Sequence, residues 1–266
     1  MKRILSALLL MTTIIITTSC AEANAIAEIA ADYGLTSFAP VSSSDTYSPE
    51  TTAVPTDVYD SAVKITLGEK VSVDGTGVYV EGNVVSILAE GNYAVYGQYT
   101  GQIVVSVKKK TVSLILCGAD ITNPTGPAIY IENAKTANII LADGTQNTLE
   151  DGSVYADDTQ KAALFSNDTL TVSGGGFLTV YGNYKHGIAS DDDLTVSGGN
   201  INIYAVKDGI HTNDLLTISG GNIEIAAQSD AFDSESDLLI TGGVITVITS
   251  DNVIYSDETI PEETQS

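Results

Sequence analysis

The chain has no tryptophan, two cysteines, two histidines, and 11 Lys plus Arg against 34 Asp plus Glu, for a formal charge of −23 over 266 residues. The shortage of basic residues argues against nucleic acid as a partner, because phosphate binding draws on a basic face that is missing here. An anionic polysaccharide meets the same repulsion unless a cation intervenes. Without tryptophan, a sugar-stacking surface must draw on 13 Tyr and 4 Phe. His186 and His211 have no cysteine partners and no close histidine in sequence, which reads as structural rather than zinc-ligating.

What the chain does have is an internal repeat. The triplets SGG or TGG begin at Ser173, Ser197, Ser219 and Thr241, spaced 24, 22 and 22 residues apart. Counted from them, Leu164, Ile188, Ile210, Phe232 and Ile254 share one column, and Ser166, Ser190, Thr212, Ser234 and Ser256 share another. Runs such as LTVSG, NINIY and DGIHT alternate with period two and are punctuated by Gly, Asn and Asp, predicting three short strands per repeat joined by tight turns. A 22-residue repeat leaves no room for a helix and lets each strand pair in parallel with its equivalent one repeat later. The expected architecture is all-β: a single-stranded right-handed parallel β-helix, a solenoid of 22–24-residue coils over residues 61–256. Leu194, Leu216 and Leu238 would then line its interior. The 24-residue repeat fits if Gly176 and one of Asn183 or Tyr184 are turn insertions.

Residues 1–20, MKRILSALLLMTTIIITTSC, pair Lys2 and Arg3 with a short apolar run and read as an export signal. Thr18 and Ser19 before Cys20 resemble a bacterial lipobox, so Cys20 is the expected lipid attachment and the only expected contact with a membrane. Loss of Lys2 and Arg3 would take the charge from −23 to −25. With Cys20 lipidated, Cys117 in the run LILCGAD has no disulfide partner and reads as a buried thiol. Residues 21–60 form an acidic Ser/Thr/Pro/Ala-rich spacer, and residues 257–266 an acidic tail. A monomer on the cell surface, or secreted if Cys20 carries no lipid, is expected.

Acids and amides recur in the same columns. Eleven before the triplets stand His186, Asp208 and Asp230; five before stand Asp168, Asp192 and Asp214, beside Asn167, Asp191 and Asn213. Two bare carboxylates about 4.8 Å apart repel by roughly 1 kcal/mol in water and about 3 kcal/mol at an effective dielectric of about 20. Calcium would offset that repulsion, since it takes about six to eight oxygens and can bridge neighbouring repeats. The candidate ligands are Asp191, Asp192, Asp208, Asp214, Asp230 and Asp233. The competing reading is that these are turn formers, which bond their own backbone, with Asn200 and Asn222 stacking in an amide ladder.

The stretches VKITLGEKVSVDGTGVYVEGNVVSILAEGNYAVYGQYTGQIVVSV and LILCGADITNPTGPAIYIENAKTANIILADGTQNTLEDG, followed by the DGI…LTISGGNIEI repeats, resemble the bacterial β-helix carbohydrate-binding domain family from Val63 to Ile254. The resemblance implies an exported protein, often a lipoprotein, that binds cellulose or pectin-type polysaccharide without established catalysis. It also implies calcium among the turns and a fold similar to family-nine pectate lyases. Cys117 departs from it, standing where the family usually has Asn, and further acidic repeats common in members are not present in this chain.

Three functional classes follow. The first is calcium-assisted, non-catalytic binding of plant cell-wall polysaccharide, acidic pectate or neutral cellulose, with Tyr181 and Tyr204 projecting one above the other to contact sugar rings. The second is a calcium-dependent polysaccharide lyase, with a base from the column Lys161, Lys185, Lys207. Those lysines lie beside the aspartates, so charge pairing is the simpler role for them. The third is a surface adhesin or scaffold binding another protein.

Overall fold

The computed structural model describes residues 61–249 and 253–256. The export signal, Cys20, the spacer at 21–60, Asn252 and the tail at 257–266 lie outside the described residues. Among the described residues every regular element is a strand.

Alternation of apolar and polar residues builds the strands, and their inward side chains stack in register from one repeat to the next. Ile129, Leu164, Ile188, Ile210, Phe232 and Ile254 pair in sequence along one sheet. The first five are at most 1% exposed. The expected interior column is therefore present. Leu194 and Leu216 are likewise fully buried, whereas Leu238 in the last described repeat is only partly so. Phe177–Gly182 pairs residue for residue with Asn200–Ala205, which places one extra residue on each side of it, as the insertions at 176 and 183 or 184 require.

The architecture differs from the solenoid expected of the repeats. Instead of a single-stranded right-handed parallel β-helix of uniform coils, the strands form a closed ring of six parallel strands that continues into a 12-stranded sheet, together with a separate 9-stranded sheet. Thr111–Asn123 pairs along its first half with Thr136–Leu141 and along its second half with Gln146–Asp151. These two continue through Thr169–Gly174 and Phe177–Gly182 to the two halves of Leu194–Ala205, which closes the ring.

The physical reason lies in glycines that bend a strand without ending it: Gly118, with φ of 85°, inside Thr111–Asn123, and the triplets at Ser197 and Ser219. Read as turns, they would end a strand; in the structure Leu194–Ala205 and Leu216–Ala227 run through them with a shift of register. Gly199 and Gly221 take φ of 98° and 91°, a left-handed conformation open to glycine, so the chain bends while its ladder of hydrogen bonds goes on. The amide ladder expected at the bend is present: the Asn222 amide donates to Asn200 Oδ1 at 2.9 Å, and that of Asn200 to the Gly175 carbonyl at 3.1 Å. Cys117 is a free, half-buried thiol rather than a fully buried one.

Candidate functional site

The 9-stranded sheet carries the columns that hold chemistry. Its short strands His186–Ser190, Ile210–Thr212 and Phe232–Ser234 are buried at every position. On the inner side, hydroxyls shape the turns: Ser190 Oγ donates to the Asp168 carbonyl at 3.0 Å, Thr212 Oγ1 to Asp192 at 2.6 Å and Ser234 Oγ to Asp214 at 2.9 Å. Each buried hydroxyl thus grips the turn of the preceding repeat, which accounts for the Ser/Thr column and holds Asp168, Asp192 and Asp214 in line. These carboxylates face water to differing degrees, Asp214 being exposed and Asp168 and Asp192 half-buried. Burial, then the charges of Asp168, Asp214, Asp193 and Asp191, push the Asp192 carboxyl up from its usual value.

At the other end of the same strands the acids are enclosed with both histidines. Strict alternation would turn His186 and Asp208 inward with Ile188 and Ile210, but glycines follow them. A Cβ on Gly187 or Gly209 would lie 2.3 or 2.4 Å from the methyls of Ile203 or Ile225, so these glycines face the core and residues 186 and 208 turn away from it. They join the side occupied by Ala162, Phe165 and Ala189, an apolar cluster separate from the main core. The rings of His186 and His211 stack there at 4.4 Å between centroids and 16° between planes.

Around this pair runs a chain of charged and polar groups. Lys161 Nζ lies 2.8 Å from Asp191 Oδ1, which also accepts from the Asn213 amide at 3.4 Å. Asn213 Oδ1 lies 3.2 Å from His211 Nε2, and His211 Nδ1 lies 2.9 Å from Asp233 Oδ2. Across the ring stack, His186 Nδ1 is 3.0 Å from Asp208 Oδ2, which Lys207 Nζ approaches to 3.1 Å. His186 Nδ1 and Asp208 Oδ2 are sealed from solvent, yet neither has an aligned hydrogen-bond partner despite their closeness. Asp208 Oδ1 accepts from the Asp230 backbone N–H at 3.1 Å.

Burial pushes His186 down to about 4, overriding the upward pull of Asp208, so its imidazole is neutral at ordinary pH. Burial pushes Asp208 the other way, but the His186 contact, the Asp230 N–H and Lys207 outweigh it and hold the carboxyl well below the usual range. Among the described residues, His186, Asp208 and His211 bring ligand atoms within 4.8 Å of one another.

Aromatic residues flank a third acidic group. Tyr181 and Tyr204 stack at 5.3 Å on adjacent strands, half-buried, as the column predicts. Tyr155 and Tyr184 stack at 4.2 Å, with Lys185 Nζ 4.8 Å from the Tyr184 centroid. Between the two stacks, Glu150 lies against the Asn183 amide, and Asp151 accepts from the Tyr155 hydroxyl at 2.6 Å and from the Asn183 backbone N–H. Burial lifts Asp151 to about 6 against these hydrogen bonds, so it stays protonated to unusually high pH for an aspartate.

The six acids expected as calcium ligands are thus divided. Asp191, Asp192 and Asp214 share the hydroxyl-gripped turns, whereas Asp208, Asp230 and Asp233 belong to the histidine end. Sequence reasoning missed the histidine pair because DGIHT reads as a regular period-two strand, and nothing in the run marks Gly209, or its equivalent Gly187, as the residue that faces the core. It also missed Asp151, Tyr155 and Tyr184, which fall in or beside insertions outside the repeat columns.

Residues 81–263 match the family model described as carbohydrate-binding domain-containing protein. A protein of Acetivibrio thermocellus with that same description is 37% identical over 145 residues, 52% of this chain and 51% of that protein. The chain therefore spans about half the length of the curated relative it matches. A solved structure, described as the polysaccharide lyase-like protein from C. thermocellum in a gadolinium derivative, is similar at 31% identity and a TM-score of 0.70, covering 74% of this chain and 95% of that one.

Proposed function

The chain belongs to the carbohydrate-binding domain-containing protein family, and from that membership we propose that it holds acidic plant cell-wall polysaccharide, pectate above all, through calcium and without cleaving it. The observation that carries the calcium step is the line of Asp168, Asp192 and Asp214, gripped in register by Ser190, Thr212 and Ser234, in which neighbouring charges raise the Asp192 carboxyl after burial has done so. Clustered carboxylate oxygens that repel one another suit a hard cation with about six to eight oxygen ligands, and Asp191 and Asp193 stand beside them. A cation bound there would reconcile the negative chain with a polyuronate, and Tyr181 and Tyr204 supply faces for sugar rings. Export and tethering through Cys20 complete the proposal.

A lyase is the second reading, favoured by the description of that structural neighbour as lyase-like. Against it, Lys161 and Lys207 are engaged in ion pairs with Asp191 and Asp208. Retention of the protein on pectate, cellulose and xylan, with and without chelator, separates the readings. Calcium-dependent retention on pectate that weakens in Asp192→Asn and Asp214→Asn, with no unsaturated product absorbing in the near ultraviolet, is expected. Accumulation of that product, lost in Lys207→Ala, would make the protein a lyase. Chelator-insensitive retention would shift the contact to the tyrosines, and retention on none would favour a protein partner.

A further inference from the structure

The enclosed cluster at the histidine end is distinct from the tyrosine stacks and from the carboxylate line, to which Asn213 and Asp191 link it. We propose that His186, Asp208 and His211 form a binding site for a divalent transition ion of the zinc class. One nitrogen from each imidazole and one carboxylate oxygen make a borderline-soft donor set, which suits zinc and its neighbours rather than calcium. All three residues are buried, at 2%, 1% and 6% exposure, with ligand atoms within 4.8 Å of one another.

The independent sign of a ligand is the pair of unmatched atoms. His186 Nδ1 and Asp208 Oδ2 face each other 3.0 Å apart, out of solvent and out of hydrogen-bond alignment. Asp208 Oδ2 meets the Lys207 ammonium but no aligned hydrogen bond, and His186 Nδ1 has no aligned partner; a cation that takes one ligand atom from each would serve both. Donors around a tetrahedral zinc, with bonds of about 2.0–2.2 Å, stand roughly 3.4 Å apart, within the spread seen here.

The neighbours orient the donors. The Asp230 N–H occupies Asp208 Oδ1 and leaves Oδ2 toward the histidines. Asp233 engages His211 Nδ1, leaving Nε2 to ligate once the Asn213 amide turns; carboxylate-held histidines of this kind are common at zinc. Lys207, half-exposed, lies 3.1 Å from Asp208 Oδ2, where its ammonium stands in for the metal's charge and must swing out on binding.

The purified chain, stripped with chelator and returned to buffer with excess calcium, is titrated with Zn(II) against a zinc indicator and with Co(II) by visible absorption. One equivalent per chain is expected, indifferent to calcium, with the d–d bands of low-coordinate cobalt. His186→Gln and His211→Gln abolish uptake, with circular dichroism reporting whether they fold. Asp233→Asn weakens affinity roughly 10- to 100-fold, and the surface change Lys207→Ala strengthens it, which keeps the test open if the histidine variants do not fold. No uptake by the wild-type chain overturns the site. So does uptake that calcium competes away or that Asp233→Asn and Lys207→Ala leave unchanged.

Discussion

At one end of the strands His186–Ser190 and Ile210–Thr212, aspartates stand in a hydroxyl-gripped turn with water at hand; at the other, Asp208 is enclosed against two stacked imidazoles. Both sets arise from the same repeat and recur at the same interval. In the first, the neighbours of Asp192 are other carboxylates, which raise its pKa further after burial; in the second, the neighbours of Asp208 are His186, a backbone N–H and Lys207, which lower its pKa against burial. The contrast teaches that a repeated acid has no fixed chemistry. Exposure and the first contacting side chain decide whether it repels its neighbour, pairs with it or presents a ligand atom.

The largest effect is expected from breaking what the two ends share. Ile210 lies between them, fully buried, and Ile210→Asp would place an unpaired charge in the apolar column at a cost of about 4 kcal/mol or more. Chemical denaturation should show both ends lost together.

Acid should distinguish the enclosed end next. His186 titrates at about 4 folded against 6.5 as a free side chain, so its stabilisation is complete above pH 6.5 and is lost as the pH falls toward 4, about 3 kcal/mol in all. Asp151 runs oppositely, titrating at about 6 against 3.8, so its stabilisation is complete below pH 3.8 and is lost as the pH rises through 6. The two slopes oppose each other in the wild-type chain. Denaturation across this range should therefore show stability falling with rising pH in His186→Gln and falling with acid in Asp151→Asn.

Calcium should distinguish the open end. At about 100 times its Kd, a cation that binds only the folded state adds about 2.7 kcal/mol, read as a rise in melting temperature reversed by chelator. That rise should vanish in the double variant Asp192→Asn, Asp214→Asn and persist in His211→Gln. The smallest change is expected away from both ends: Tyr181→Ala or Tyr204→Ala should weaken polysaccharide retention by about 1 kcal/mol, roughly fivefold, with the fold intact.

Much of this was legible in one dimension. The column from Leu164 to Ile254, the in-register hydroxyls, the amide ladder at Asn200 and Asn222, and the stacking of Tyr181 on Tyr204 all follow from period two within a 22-residue interval, because pleat and register leave an apolar side chain only one buried face. The closed ring was not legible. Nothing in SGG says whether a glycine ends a strand or bends one, since its left-handed conformation serves both. Nor was the histidine pair, because His186 and His211 occupy different columns and meet only when Gly187 and Gly209 give up their place in the alternation to Ile203 and Ile225.

The amino-acid order by itself determined an all-β repeat region, the residues that stack in its interior, and a strong net negative charge, because these depend on composition and on near-neighbour periodicity. Only the tertiary structure decided that the strands close into a ring beside a second sheet, and that Asp208 and Asp233 part company from Asp192 and Asp214 to surround two imidazoles. Those outcomes depend on where a glycine lets the backbone bend and on which side chains of neighbouring repeats then exclude water, and both are set by packing across the repeats rather than along them.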